Sequence, residues 1–198
     1  MGVRFPLGVP SLFIIKFKNM FITIFSIVVL SFVAIVLAVN FSYIVFSGYA
    51  PFFATSGKIL DRVVNELNFE DGATIYELGC GRAGFLRRIE KKFPKMSRLI
   101  GVEYFLMPFL IAGIQLSFQK SKIKILKKNL FDVNLKEADI IYCFLNKQAM
   151  KKLKEKFLKE CKRGAQIISY QFSLPDMAPE KVIDINENNK DKVYFYKM

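Results

Sequence analysis

The chain has 198 residues, 53% of them hydrophobic, and a formal charge of +13, which leaves room for one α/β domain beside an apolar segment. It contains no histidine, and its cysteines Cys80, Cys143 and Cys161 show no paired spacing. Ser-His-Asp and Cys-His nucleophiles and histidine acid–base chemistry are thereby excluded, and no metal site is expected.

Residues 1–19 form a basic N-terminal segment, with Arg4, Lys16 and Lys18 and no acidic residue. Residues 20–47 read as a transmembrane anchor. No charge interrupts Met20 to Val39, and the uncharged stretch runs on to Gly57. A helix of about 20 residues crosses the roughly 30 Å hydrocarbon core. Apolar residues fill every side of it, unlike a helix lying on a membrane surface. A cleaved signal peptide would have a shorter apolar region and a small-residue cleavage site. The expectation is therefore a retained single-pass anchor.

Gly48-Tyr49-Ala50-Pro51 marks the exit, and residues 48–198 read as one domain. Ser56–Leu67 has helical periodicity, with Ile59, Leu60, Val63, Val64 and Leu67 inward. After a turn at Phe69–Gly72 comes a short apolar strand, Ala73–Leu78, ending in Gly79-Cys80-Gly81. The pattern then predicts helix Gly84–Phe93, strand Arg98–Glu103, apolar-faced helix Phe105–Phe118, and strands Lys122–Leu126 and Asp139–Phe144. Helix Lys147–Cys161 is expected to turn Met150, Leu153, Phe157 and Leu158 inward, and Gly164 stops it. Strand Ala165–Tyr170 follows. Lys181–Ile185 and Val193–Lys197 make a closing β-hairpin across the polar turn Asn186–Lys192. The expected fold is α/β: an N-terminal transmembrane helix, then a Rossmann-like, seven-stranded, mostly parallel sheet with one reversed strand and a C-terminal β-hairpin.

The chemistry concentrates at Tyr76-Glu77-Leu78-Gly79-Cys80-Gly81. In open α/β sheets ligands bind beyond the carboxyl ends of strands, where strand order reverses. Glycines there let backbone approach a ligand and turn into the next helix. Gly79, Gly81 and Gly84 match the dinucleotide pattern, which alone is a weak signal. Glu77 tips the reading toward S-adenosylmethionine, because a carboxylate suits the ammonium of a methionine moiety and repels a pyrophosphate. Glu103, ending the second strand, is placed to bond ribose hydroxyls with either ligand. Asn129 and Leu130, after the third strand, suit an adenine edge and face. For each of these residues the competing reading is structural: a tight turn, a helix cap, a salt bridge or an exposed side chain.

These stretches, in this order, resemble the class I, Rossmann-like methyltransferases. More narrowly, the chain resembles the small membrane-anchored protein lysine methyltransferases related to the mitochondrial enzymes that modify the adenine nucleotide translocase and the ATP synthase c subunit. The matching stretches are Ala50–Ser56, Glu77–Gly81, Gly101-Val102-Glu103, Asn129-Leu130-Phe131, Phe144–Met150, and Gly164-Ala165 through Tyr170–Pro175. Two departures stand out: Ala83 where a glycine is expected, and Lys147 where a proline is common. The resemblance implies S-adenosylmethionine as cofactor, held by Thr55, Ser56, Glu77, Gly79, Cys80, Gly81, Glu103, Asn129 and Leu130. It implies an acceptor channel at Phe144, Leu145 and Asn146. By residue type, Tyr142, Phe144 and Tyr170 are aromatic candidates for holding a cationic product, with core packing as the competing reading.

The expected activity is methyl transfer to an amine, with a lysine of a membrane protein as the leading acceptor. A lipid head group or membrane-associated small molecule is the alternative, as is an inactive membrane-bound scaffold. No nucleic-acid partner is expected, because no dense basic cluster alternates with aromatics. The basic bias before the anchor favours an N-terminus inside the cell, with the domain outside. Cofactor supply favours a domain facing the cytoplasm, and that is the orientation expected.

Overall fold

The computed structural model describes residues 10–46, 55–68, 71–95, 98–185 and 191–198. Several sequence features lie outside the described residues: Arg4, the exit at 48–51, the 50–54 part of the motif, Phe69-Glu70, and 186–190 of the hairpin turn. The chain divides into two compact units, Met1–Gly48 and Tyr49–Met198.

Among the described residues, the first unit contains one helix, α1 (Pro10–Phe46). It begins well before residue 20, with a proline at the first helical position, where a missing N–H costs nothing. Within it, Lys18–Val39 spans 22 residues at a mean hydropathy of 3.0, long and apolar enough to cross a membrane.

The second unit runs α2 (Gly57–Asn65), β1 (Thr74–Leu78), α3 (Gly84–Lys92), β2 (Arg98–Glu103), α4 (Leu106–Phe118) and β3 (Lys124–Lys127). A 3-10 turn at Leu130–Asp132 leads to β4 (Ile140–Cys143), α5 (Lys147–Glu160), β5 (Gln166–Tyr170), β6 (Lys181–Asp184) and β7 (Lys192–Lys197). The sheet order is β3-β2-β1-β4-β5-β7-β6. β7 is the reversed strand, antiparallel to both β5 and β6, and the other neighbours pair in parallel. The expected mostly parallel, seven-stranded sheet with a closing hairpin is the fold observed.

Alternation along β1 sends its side chains to two cores. Ile75 joins Val63, Phe85, Leu86 and Ile89 on the α2–α3 face. Tyr76 and Leu78 join Met150, Leu153 and Phe157 on the α5 face. Helices on both sides bury every residue of β1, as expected at the centre of a parallel sheet.

One sequence expectation needs correction. Leu158 is not inward but 60% exposed. Met150, Leu153 and Phe157 complete the i, i+3, i+7 stripe of α5, and the next residue falls about 100° off it. In α4 only Ala112 and Leu116 are buried, so most of its apolar surface faces outward.

The motif is tied to β2 by a close contact. A Cβ built on Gly101 would lie 2.7 Å from Cys80 Sγ and 3.2 Å from Cys80 Cβ. Gly101→Ala is therefore expected to destabilise the domain by about 1–3 kcal/mol. Adding Cys80→Ala should recover part of that loss, since it removes the nearer atom. Thermal melts of Gly101→Ala, Cys80→Ala and the double variant check this, and an unshifted Gly101→Ala melt would contradict it.

Candidate active site

The strand order reverses between β1 and β4, which run side by side with Leu78 opposite Cys143. On β1's other side Leu78 faces Val102, and the Val102 carbonyl accepts from the N–H groups of both Gly79 and Cys80 at 2.9 Å. The chain thus turns at the carboxyl edge with Gly79 exposed between buried neighbours. Gly79 has φ +69, and a Cβ there would meet Leu145 Cδ2 at 3.0 Å. Its backbone is bare at the crevice where this fold class takes ligands.

Two buried carboxylates flank that point. Glu77 Oε1 accepts from the Phe85 N–H at 3.3 Å, and Oε2 from the Leu86 N–H at 3.1 Å. It therefore closes the first turn of α3, whose amides have no partner within the helix. Burial nevertheless pushes its carboxyl up to about 8, against the pull of those two N–H bonds and of Arg87 and Arg88. Glu103 Oε2 accepts from the Gly81 N–H and Oε1 from the Phe105 N–H, each at 2.9 Å. One carboxylate thus fixes both the glycine turn and the entry to α4. Each oxygen of the two carboxylates retains a second lone pair.

Ala83, where the resemblance leads one to expect glycine, takes φ 53, ψ 45 with its side chain fully buried. The left-handed turn survives the substitution, at a strain cost of about 1–2 kcal/mol. The Cys80 side chain is buried in the Gly101 notch and not presented to the crevice. Burial foremost, and the Glu77 and Glu103 charges next, push its thiol far up, so it stays protonated.

A second group of residues surrounds the end of β4. Tyr142 is buried, stacks on Phe85 with ring centroids 4.4 Å apart at 15°, and shares a 3.0 Å hydrogen bond with the Thr55 hydroxyl. Ser56 is exposed beside it, at the N-cap of α2. Phe144, half-buried, packs on Tyr170 at 4.7 Å between centroids. The Tyr170 hydroxyl donates to Asp191 Oδ1 at 2.9 Å, and Gln171 Nε2 donates to the same oxygen at 2.9 Å. Burial, and then Asp191, push the Tyr170 phenol up to about 12. Leu145 is buried against Gly79, and Asn146 caps α5 by accepting from the Ala149 N–H at 2.9 Å. Lys147 begins α5 and is exposed. On the adenine side, Asn129 Oδ1 accepts from the Phe131 N–H at 3.1 Å, which leaves its amide NH2 for other partners, and Leu130 is buried in the α5-side core.

The structure therefore brings together Glu77, Gly79, Gly81, Glu103 and Leu145, and links Thr55 to Tyr142. Of the acceptor-channel candidates, Tyr142, Leu145 and Tyr170 are buried, and Phe144 and Asn146 are half-buried. Sequence reasoning missed Phe85, whose apolar type at the first turn of α3 was the available signal, and Asp191, which gave none. Among the described residues, no group of three or more Cys, Asp or Glu is placed to hold a metal ion.

Two buried acids at neighbouring strand ends, beside exposed glycine backbone, fit a ligand that carries a cation and hydroxyls. They suit a pyrophosphate poorly. With this sheet order the chain has the fold of the Rossmann-like, S-adenosylmethionine-dependent methyltransferases. Residues 77–181, just over half of the chain, match the family described as the ANTKMT methyltransferase domain, and the chain belongs to that family. It is 27% identical over 151 residues to a protein-lysine N-methyltransferase of Saccharolobus islandicus (strain REY15A), covering 75% of this chain and 93% of the relative. An RNA methyltransferase from Salinibacter ruber, solved with S-adenosyl-L-homocysteine, has the same fold at 18% identity and a TM-score of 0.66, covering 73% of this chain and 93% of that one. The tRNA methyltransferase TrmK of B. subtilis also shares it, at 18% identity and a TM-score of 0.59, covering 71% and 65% of the two chains.

Proposed function

We propose that this chain is a membrane-anchored protein lysine methyltransferase that holds S-adenosylmethionine at the Glu77–Gly81 turn. The observation that carries the cofactor site is the pair of buried carboxylates, Glu77 and Glu103, on either side of the exposed backbone of Gly79. In this reading Glu77 faces the ammonium of the cofactor and Glu103 its ribose hydroxyls. The Asn129 amide and Leu130 receive the adenine, and Thr55 and Ser56 border the methionine end. The family and the Saccharolobus relative support lysine as the acceptor.

When bound, the cofactor supplies a methyl group on a sulfonium. The protein's part is to position and desolvate the acceptor amine. A lysine enters with a pKa of about 10.4, and removal from water beside a positive charge lowers it toward the neutral, nucleophilic form. Phe144 and Asn146 border that approach, with Leu145 beneath. Tyr142, pushed far up by burial, stays protonated and serves to hold Thr55 in place.

α1 is read as a retained single-pass anchor, with the domain on the cytoplasmic side where the cofactor is made. Such an anchor confines the enzyme to acceptors at the bilayer, so a lysine of a membrane protein is the proposed substrate. The test is transfer of tritiated methyl into native membranes by the full chain. Label in protein that survives solvent extraction supports the proposal. Label that partitions into solvent would move the acceptor to a lipid or small molecule.

A further inference from the structure

In a βαβ crossover the helix normally turns its apolar stripe to the sheet and polar residues to water. α4 breaks this rule. Leu106–Phe118 contains no charged residue, and its two buried side chains, Ala112 and Leu116, suffice to seat it on the sheet. Outward it presents Met107, Leu110, Ile114 and Phe118 at i, i+3, i+7 and i+11, from 44% exposed at Leu110 to 86% at Phe118. A groove along the helix is lined by Phe109, Leu110, Gly113, Ile114, Ser117 and Phe118. Soluble domains rarely expose so continuous an apolar stripe without an occupant.

The charges beside the stripe indicate the occupant. From Tyr104 to Leu130 the chain carries Lys120, Lys122, Lys124, Lys127 and Lys128 and no acidic residue. All five lysines are exposed, and none joins a salt bridge among the described residues. The neighbouring acid, Glu90, is occupied by the Ser121 hydroxyl and the Lys122 N–H. Two copies meeting through this face would crowd like charges at its rim, which disfavours self-association. An apolar stripe bordered by lysines instead suits an anionic bilayer surface, with acyl chains under the stripe and head groups beside the ammonium groups.

We propose that the exposed face of α4 is a second membrane contact, inserted into the interface of an anionic phospholipid bilayer. This goes beyond the proposed function and rests on the anchor reading only for its tether. The residues numbered 47–56, between α1 and α2, reach at most about 35 Å, which keeps the domain at the bilayer once α1 is inserted. The Glu103 carboxylate that holds the Gly81 N–H also holds the Phe105 N–H at the start of α4. One side chain thus bonds both the start of α4 and the Glu77–Gly81 turn.

The chain contains no tryptophan, so one substitution gives a single indole reporter. Full-length F118W, reconstituted into phosphatidylcholine–phosphatidylserine vesicles with doxyl-labelled acyl chains, is compared with L158W. Leu158 is 60% exposed on α5, on the opposite face of the sheet. The expected result is an F118W indole quenched by doxyl lipid and shielded from acrylamide, with the L158W indole behaving in the opposite way. Phosphatidylcholine vesicles, or the added changes Lys120→Gln, Lys122→Gln and Lys124→Gln, should weaken the doxyl quenching. An F118W indole as open to acrylamide as that of L158W overturns the proposal. So does one shielded from both quenchers, which would mean that protein covers the face, whether α1 or a second copy. Alkaline extraction scores the anchor separately: a chain retained on vesicles with a water-exposed F118W indole fails the α4 contact alone. A chain stripped by alkali yet quenched before extraction supports α4 and fails the anchor.

Discussion

Replacing Glu77 with glutamine is expected to lower S-adenosylmethionine affinity by roughly 10- to 100-fold, the range for losing a charged hydrogen-bonding partner in a buried site. The domain should still fold. Glutamine keeps one acceptor oxygen but sets an NH2 group against either the Phe85 or the Leu86 N–H, at a cost of about 1–3 kcal/mol. Alanine leaves both amides unpaired and should cost more. The affinity loss therefore separates from the stability loss in the glutamine variant, and calorimetric titration beside a thermal melt measures each.

The raised pKa of Glu77 gives the same residue a pH signature. Its carboxyl lies at about 8 in the fold, against an ordinary value of 4.5. Between those values the native state holds a proton that the unfolded chain releases. The stability of the ligand-free domain should therefore fall as pH rises from about 4.5 to about 8, then flatten. Cofactor affinity runs the other way, since binding a cation needs the ionised acid. It should rise about tenfold per pH unit below 8 and stop rising where the cofactor's own α-amino group, at about 7.7–8.0, loses its proton. Glu77→Gln should abolish the acidic limb of the affinity profile and reduce the stability slope. An unchanged acidic limb in that variant would assign the effect to another group.

The second large effect is at Gly79. With φ +69, any other residue there incurs about 1–2 kcal/mol of backbone strain. In Gly79→Ala the new methyl also meets Leu145 Cδ2 at 3.0 Å, and either Leu145 shifts or the turn does. The same methyl stands at the exposed backbone that the cofactor must approach, so affinity should fall by more than stability does. Leu145→Val shortens the opposing side chain. Combined with Gly79→Ala it should return the steric share, a coupling of about 0.5–1 kcal/mol, and leave the backbone share in place. Strictly additive melts for the pair would show that Leu145 yields freely and that the loss is all backbone.

Much of the sheet was legible because its strands are short apolar runs bounded by turn residues. Arg98–Glu103 was read with its observed ends, and Gly79-Cys80-Gly81 announced where β1 stops. The reversed strand followed from the polar turn before the last apolar run. Features made by contacts distant in sequence were harder to read. Thr55 and Tyr142 are 87 positions apart, and nothing local says that their hydroxyls meet. Tyr142 and Tyr170 were read as acceptor-side aromatics by type, and their partners Phe85, Phe144 and Asp191 were not legible, since each pairing joins separate elements. Glu77 was legible as an acid at the glycine turn. Its bonds to Phe85 and Leu86 were not, because they depend on how α3 folds back over β1. The outward apolar face of α4 was hidden for a related reason. A uniformly apolar helix shows no phase in sequence, so only the sheet decides which side it buries.

Binding of S-adenosylmethionine at the Glu77–Gly81 turn can be tested by covalent capture of the cofactor. The most direct test is photolabelling of the full chain by ultraviolet irradiation with tritiated S-adenosylmethionine, followed by peptide mapping. The expected result is label in peptides carrying residues 77–81, 103 or 129–130, suppressed by excess S-adenosylhomocysteine and sharply reduced in Glu77→Gln. Suppressible label confined to other peptides, or full labelling of the Glu77→Gln chain, would contradict it.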